Sequence, residues 1–261
     1  MQKENSSTPK SVFYYLLTYI VVMAAAGMIV PSLYKLIMSK QGGVNAAIVT
    51  SVVYSVILFV LFYRLKWCPI SSTFLRSKPW VLLVWTVLFA FGAILPGMFI
   101  QDLLKFLPDI AADQIAALIN SDFGYVTVCL FAPLVEEMVF RGAVLRSLLD
   151  GMKSRWGAIT VSALLFALVH MNPAQMPYAF LAGLFLGWIY SRTRSIVPGV
   201  AFHWVNNTLV YLLYRMMPQM ADASFSDMFG GDTKREVLAI VFSLFILLPS
   251  LYQLVLRTKK Q

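Results

Sequence analysis

Residues 132–142 read APLVEEMVFRG and place two carboxylates and a guanidinium inside an otherwise apolar segment, residues 123–149. Ionisable groups are costly at membrane depth, so each of them needs a structural or a chemical reason. If the segment is a helix, Glu137 and Arg141 lie four residues apart on one face, with the acid N-terminal to the base, the favourable order for an ion pair. Glu136 points about 100° away around the helix and is left without a partner.

An intramembrane ion pair that simply locks helices together explains Glu137 and Arg141 at least as well as a functional role does. That explanation leaves Glu136 unaccounted for. We therefore assign Glu137 to Arg141 and assign Glu136 to chemistry.

The composition is that of a membrane protein, with 59% hydrophobic and 13% charged residues and a mean hydropathy of +0.75. A net charge of +9 would suggest a nucleic-acid partner in a soluble chain. Here the basic residues lie between apolar runs, where they set topology, and no nucleic-acid partner is expected. Cys68 and Cys129 have neither CxxC nor disulfide-framework spacing.

Apolar runs of membrane-crossing length, about 20 residues, recur along the chain and leave no soluble domain. We predict an all-α, polytopic integral membrane protein of the cell membrane, with residues 1–261 forming a single transmembrane domain of about eight helices. Residues 101–122 hold four aspartates against a single lysine and predict an interfacial loop or a short helix. Ala24–Ala26 resembles a signal-peptide cleavage site, but the apolar run continues well beyond it, which favours an uncleaved anchor. The predicted spans are 12–37, 44–63, 80–100, 123–149, 156–170, 177–190, 196–214 and 237–256.

The distribution of basic residues predicts that both termini are cytoplasmic. With eight spans and the N-terminus inside, fourteen of the 21 basic residues lie on the cytoplasmic side, six lie outside, and Arg141 lies within the membrane. Lysine and arginine are enriched in cytoplasmic loops, which supports this orientation.

The chain has two histidines, His170 and His203, and both lie in apolar segments. A lone buried histidine is more often a satisfied core residue than a catalytic one. Because both fall in the half of the chain that holds the carboxylates, that explanation is weakened. His203 and Asn207 lie four residues apart on one helix face, with Asn206 on its flank. Phe166 precedes His170 by one turn, where it either packs or fixes the imidazole.

The depth of these groups is a crude test of whether they meet. At a rise of about 1.5 Å per residue, Glu136 lies roughly 15 Å and His203 about 11 Å from the inner ends of their spans. His170 comes out at about 21 Å, so its helix has to tilt or begin well inside the cytoplasm.

Three motifs follow one another on successive apolar segments: EExxxR at 136–141, FxxxH at 166–170 and HxxxN at 203–207. Together they resemble the CAAX-protease and bacteriocin-processing family of intramembrane proteases. The resemblance covers residues 123–214, which would form the catalytic core. It implies an endopeptidase that uses glutamate-activated water to cleave a membrane-anchored or lipidated protein or peptide in the lipid bilayer.

The resemblance also implies roles for individual residues. In that family the first glutamate is held to activate water and the first histidine to help hold it, while the last histidine and asparagine stabilise the oxyanion. These roles correspond to Glu136, His170, His203 and Asn207, with Glu137 and Arg141 completing the first motif.

The cofactor stays open, because the family is described both as metal-dependent and as glutamate-dependent without a metal. A divalent ion such as zinc would take Glu136, His170 and His203 as ligands, a two-histidine, one-carboxylate set with a position left for water. The HExxH signature of many zinc proteases is absent. The zinc alternative therefore rests on the resemblance more than on spacing.

Two other functions remain as alternatives. Intramembrane glutamate, histidine and arginine also form proton relays, which would suit a proton-coupled transporter. Transporters often show interrupted helices in two related halves, whereas here nearly all intramembrane charge lies in one half. A non-catalytic immunity or scaffold protein of the same fold is the second alternative, and the intact motifs count against it.

Overall fold

The computed structural model describes residues 9–38, 43–69, 71–218 and 223–259. Within these ranges the secondary structure is helical and includes no strand, which confirms the all-α prediction. Residues 126–151 form one continuous helix, α6, and a 3₁₀ turn lies at Asp227–Phe229. The other helices are α1 Pro9–Met38, α2 Gly43–Arg64, α3 Ser72–Arg76, α4 Trp80–Leu103, α5 Ala112–Ile119, α7 Arg155–Leu168, α8 Met176–Thr193, α9 Val197–Met216 and α10 Thr233–Arg257.

Each of the eight predicted spans coincides with a helix, namely α1, α2, α4 and α6 to α10. Four of the described helices, α1, α2, α4 and α10, are long and apolar enough to cross a membrane. The polytopic membrane architecture is thus confirmed, while the count of eight crossings stays a prediction. The short helix predicted within 101–122 is α5. The prediction about the termini falls on residues 1–8 and 260–261, outside the described residues.

Helix α6 departs from regular α-helical geometry in two places. Its first and third parts, Val126–Phe131 and Met138–Leu145, are π-helical, and Ala132–Glu137 and Arg146–Gly151 are α-helical. Pro133 lacks an N–H, and its ring crowds the carbonyl four residues earlier, so the turn before it widens. The second wide turn is completed from α7, where the Ser162 hydroxyl donates to the Phe140 carbonyl at 3.2 Å.

Helix α6 lies at the centre of the bundle. It contacts α1, α2, α7, α8 and α9, and every residue of its second π-helical part, Met138–Leu145, is buried. Helices α4 and α10 pack closely against each other, and α4 joins them to the bundle through α9. This arrangement encloses Glu137 and Arg141 of the EExxxR motif and leaves Glu136 partly exposed.

Small residues allow the closest helix approaches, as is usual in membrane bundles. Gly92 of α4 lies against α10, where its carbonyl accepts a hydrogen bond from the Ser243 hydroxyl at 2.8 Å. A Cβ atom at position 92 would lie 2.6 Å from the Leu247 backbone nitrogen. Position 92 therefore requires glycine for close packing.

We expect Gly92→Ala to lower the melting temperature in detergent, because overpacking of this kind typically costs about 1–3 kcal/mol. The matched control is Gly27→Ala in α1, where a Cβ atom would meet nothing within 4 Å. That substitution should be neutral or stabilising, since alanine is favoured over glycine in helices by about 1 kcal/mol. Equal melting temperatures for the two variants would contradict the packing argument.

Candidate active site

Glu137 and Arg141 form a fully buried ion pair. Arg141 Nη1 donates to Glu137 Oε1 at 2.8 Å, and the two side chains are 1% and 0% exposed. Arg141 Nη2 donates to the Gly183 carbonyl of α8 at 3.4 Å. The guanidinium carbon lies 4.3 Å from the centroid of the Phe166 ring of α7, a cation–π contact. The pair expected from the spacing is present and also binds two neighbouring helices.

Gly199 allows α9 to pack directly against the pair of Glu137 and Arg141. A Cβ atom at this position would overlap Glu137 Oε2. That oxygen is buried and has no hydrogen-bond partner among the described residues. The carboxylate of Glu137 is therefore enclosed and inaccessible to a substrate.

His203 of α9 lies between the two glutamates. Its Nδ1 atom is 3.4 Å from Glu137 Oε1, and its Nε2 atom is 3.6 Å from Glu136 Oε2. The prediction that Glu136 has no partner is therefore wrong, because an imidazole from another helix lies beside it. The side chain of Glu136 is 20% exposed, against 0% for Glu137. Of the two carboxylates, only Glu136 is accessible.

His170 lies beyond the end of its helix. The fifth span was expected to continue to residue 170, but α7 ends at Leu168 and Met171 takes a left-handed φ of +48°. The depth estimate along a straight helix therefore applies only as far as Leu168, and His170 lies on the turn beyond it. Its Nδ1 atom lies 2.8 Å from the Phe166 carbonyl, which can only accept. Nδ1 thus carries the hydrogen of the neutral ring, and Nε2 is left as an acceptor.

Asn172 fixes the turn that carries His170. Its buried amide accepts from the Ile110 N–H at 3.1 Å and donates to Asp109 Oδ1 at 2.8 Å. These bonds join the turn after α7 to the loop before α5. The Asn-Pro sequence indicated only that the helix stops here; the contact with residues 109–110 could not be read from spacing.

Asn207 takes part in a chain of side-chain hydrogen bonds. The Tyr178 hydroxyl donates to Asn206 Oδ1, Asn206 Nδ2 donates to Asn207 Oδ1 at 3.3 Å, and Asn207 Nδ2 donates to the Val128 carbonyl at 3.1 Å. Val128 belongs to the first π-helical part of α6. A primary amide has two N–H groups, so Asn207 keeps a second donor.

Phe166 is the common neighbour of the charged and the imidazole groups. Besides Arg141, its ring makes edge-to-face contacts with His170 at 4.9 Å and with His203 at 5.8 Å between centroids. The sequence suggested a contact with His170 alone. The structure thus places Glu136, Glu137, Arg141 and His203 together directly, and it joins His170 to them through Phe166.

The first motif also contacts a cysteine. A Cβ atom at Gly142 would overlap the Cys68 sulfur, so the thiol packs directly on α6. Burial raises the pKa of the Cys68 thiol to about 12. A thiol in this state is unreactive at neutral pH, and Cys68 is a packing residue.

The predicted zinc ligands do not form a compact donor set. Glu136 and His203 are adjacent, but in the part of the chain that the structure describes no three His, Cys, Asp or Glu side chains are arranged to hold a metal ion. His170 contacts the ring of Phe166, which also contacts His203. The adjacent pair of Glu136 and His203 is a carboxylate–imidazole pair.

Comparison with known proteins points to the protease family that the three motifs resemble. Residues 120–209 match the family described as Type II CAAX prenyl endopeptidase Rce1-like, and the family predicted from the three motifs is confirmed for this segment. The chain is also similar to the membrane-embedded CAAX protease MroQ of Staphylococcus aureus (strain USA300), with 29% identity over 97 residues. This match covers 35% of the chain and 39% of the relative. No solved structure matches the chain significantly.

We expect Glu137→Gln to destabilise the protein by about 3–5 kcal/mol, because it leaves Arg141 buried without a countercharge. Thermal melting in detergent and yield after purification measure this effect. The control is Asp150→Asn, which breaks the half-exposed pair with Arg194 at 3.1 Å and should cost at most about 1 kcal/mol. If Glu137→Gln melted like Asp150→Asn, the pair would not be the structural element described here.

Proposed function

We propose that the chain is an intramembrane endopeptidase that hydrolyses a peptide bond of a membrane-anchored or lipidated protein or peptide with glutamate-activated water. The observation that carries this proposal is the unequal environment of two consecutive carboxylates. Glu137 is enclosed by Arg141 and Gly199, while Glu136 is partly exposed beside His203. One carboxylate is thereby committed to structure, and the other is free to accept a proton.

In this mechanism Glu136 is the general base. It takes a proton from water as the water oxygen attacks the scissile carbonyl carbon, and it later gives that proton to the leaving amine. His170 supports the step because its Nδ1–H is held by the Phe166 carbonyl, so its Nε2 atom can accept a hydrogen bond from the second O–H of the water. The two groups together orient the nucleophile.

The oxyanion that forms on the attacked carbonyl needs fixed donors in a site of low dielectric constant. His203 and Asn207 are proposed for this role, since both lie on α9 one turn apart. His203 is held between two carboxylates, and Asn207 is anchored to Val128 with one amide N–H left over. Asn207 is thus positioned before the substrate arrives, whereas His203 Nε2 has to turn from Glu136 to the oxyanion to donate to it.

The cofactor and the substrate belong to the same proposal. A zinc ion bound to this chain would supply Lewis-acid activation of water, but the side chains present do not offer three converging ligands, and no step is routed through a metal. The name of the relative MroQ describes a CAAX protease, and we propose a CAAX-type or bacteriocin-type substrate with a C-terminal or otherwise lipid-anchored cleavage site in the cell membrane.

Glu136→Gln should abolish cleavage of a fluorogenic lipidated C-terminal peptide by the purified protein. An amide cannot accept the proton from water, and the substitution is nearly isosteric. The melting temperature should stay close to wild type, because Glu136 is not part of the buried pair. The assay is run with and without a chelator, which decides separately whether a metal is needed.

An active, well-folded Glu136→Gln beside a folded, inactive Glu137→Gln would reverse the two assignments. Absence of any cleavage by the wild type, across prenylated and bacteriocin-type peptides, would favour the transporter or the scaffold.

His203→Ala and Asn207→Ala should each lower kcat by about 10²–10³-fold, the usual loss for one oxyanion donor, with smaller changes in KM. The double variant should lose much less than the product of the two single losses, since both donors act on one charge. Asn206→Ala is the matched control within the same hydrogen-bond chain. A larger loss for Asn206→Ala than for Asn207→Ala would move the donor role to Asn206.

A further inference from the structure

A groove of about 640 Å³ lies at one end of the bundle, between the loop that joins α3 to α4 and the C-terminal end of α10. None of the helices that carry the candidate active site lines it. Its polar lining consists of Ser77, Lys78, Gln253 and Arg257, and its apolar lining includes Leu82 and Leu256. The groove therefore joins a polar mouth to an apolar body.

The charge of the groove is uncompensated. Lys78 and Arg257 are its charged lining residues, and among the described residues no carboxylate lines it. Neither cation forms an ion pair with a described residue. Two exposed cations without countercharge favour an anionic ligand at this position.

Buried hydrophobic side chains pack beneath the apolar part of the groove. Phe74, Leu82 and Leu254 belong to one buried hydrophobic cluster beneath it. Trp80, beside the mouth, is 67% exposed. Tryptophan is enriched at the level of lipid headgroups, so this end of the bundle lies at a membrane–water interface.

Lys78 also has an unusual backbone conformation. Its φ of +50° is in the left-handed region, where a side chain is disfavoured and glycine is the usual residue. Lys66, just after α2, has a φ of +56° and lies outside the groove. The two lysines therefore share a backbone strain and differ in their surroundings.

We propose that this groove binds one anionic phospholipid, with the phosphate between Lys78 and Arg257 and an acyl chain along Leu82 and Leu256. Both cations belong to the end of the bundle that the excess of basic residues assigns to the cytoplasm, where membranes carry anionic lipid. The proposal does not depend on the proteolytic function.

The test is native mass spectrometry of the full chain in detergent, titrated with phosphatidylglycerol or with phosphatidylcholine of the same acyl chains. The wild type should retain phosphatidylglycerol more tightly. Lys78→Gly and Arg257→Gln should each weaken that binding by about fivefold, the equivalent of ~1 kcal/mol per basic residue near an anionic surface. Lys78→Gly should also leave the melting temperature unchanged or raised, because glycine relieves the strained φ.

The matched controls are Lys66→Gly, the same change at the same kind of backbone position, and Arg64→Gln, the terminal arginine of α2 as Arg257 is of α10. Both should keep wild-type binding. Equal losses in the controls would show that general surface charge, and not the groove, holds the lipid. Equal retention of the two lipids, or displacement of phosphatidylglycerol by millimolar inorganic phosphate, would overturn the proposal of a phospholipid site.

Discussion

The buried pair of Glu137 and Arg141 is the interaction on which the rest of the site depends. Taking two charges out of water costs several kcal/mol each, and their mutual attraction offsets this only when the remaining donors and acceptors also find partners. Here neighbouring groups come from three other helices, namely Gly183 of α8, Phe166 of α7 and His203 of α9, while Glu137 Oε2 and Arg141 Nε have no hydrogen-bond partner among the described residues. The pair therefore fixes how α7, α8 and α9 sit around α6.

The same constraint separates the roles of two adjacent glutamates. Consecutive residues on a helix point about 100° apart, so only one of them can enter the enclosed space beside Arg141. Glu136 is turned toward His203 and stays partly exposed. Helix α6 thus carries a structural carboxylate at Glu137 and an accessible carboxylate at the preceding residue, Glu136.

Much of the fold and part of the candidate site could be predicted from local periodicity, but the contacts between distant segments could not. Apolar run lengths located eight of the helices, and four-residue spacing predicted the pair of Glu137 and Arg141. The π-helical turns of α6 depend on packing against α7 as well as on Pro133, so hydropathy does not show them. His203 beside Glu136, Tyr178 beside Asn206, and Asn172 bound to Asp109 are contacts between segments 28 to 67 residues apart, and a single sequence carries no direct signal for them.

The length of α7 explains how water can reach a site in a hydrophobic chain. Fourteen residues of helix extend about 21 Å, less than the ~30 Å hydrocarbon core of a bilayer. The turn at residues 169–175 therefore reaches inward from one membrane face. Irregular backbone at membrane depth is stable only where it is buried in protein or lines a polar cavity. Asn172 meets this requirement by bonding the turn that carries His170 to residues 109–110.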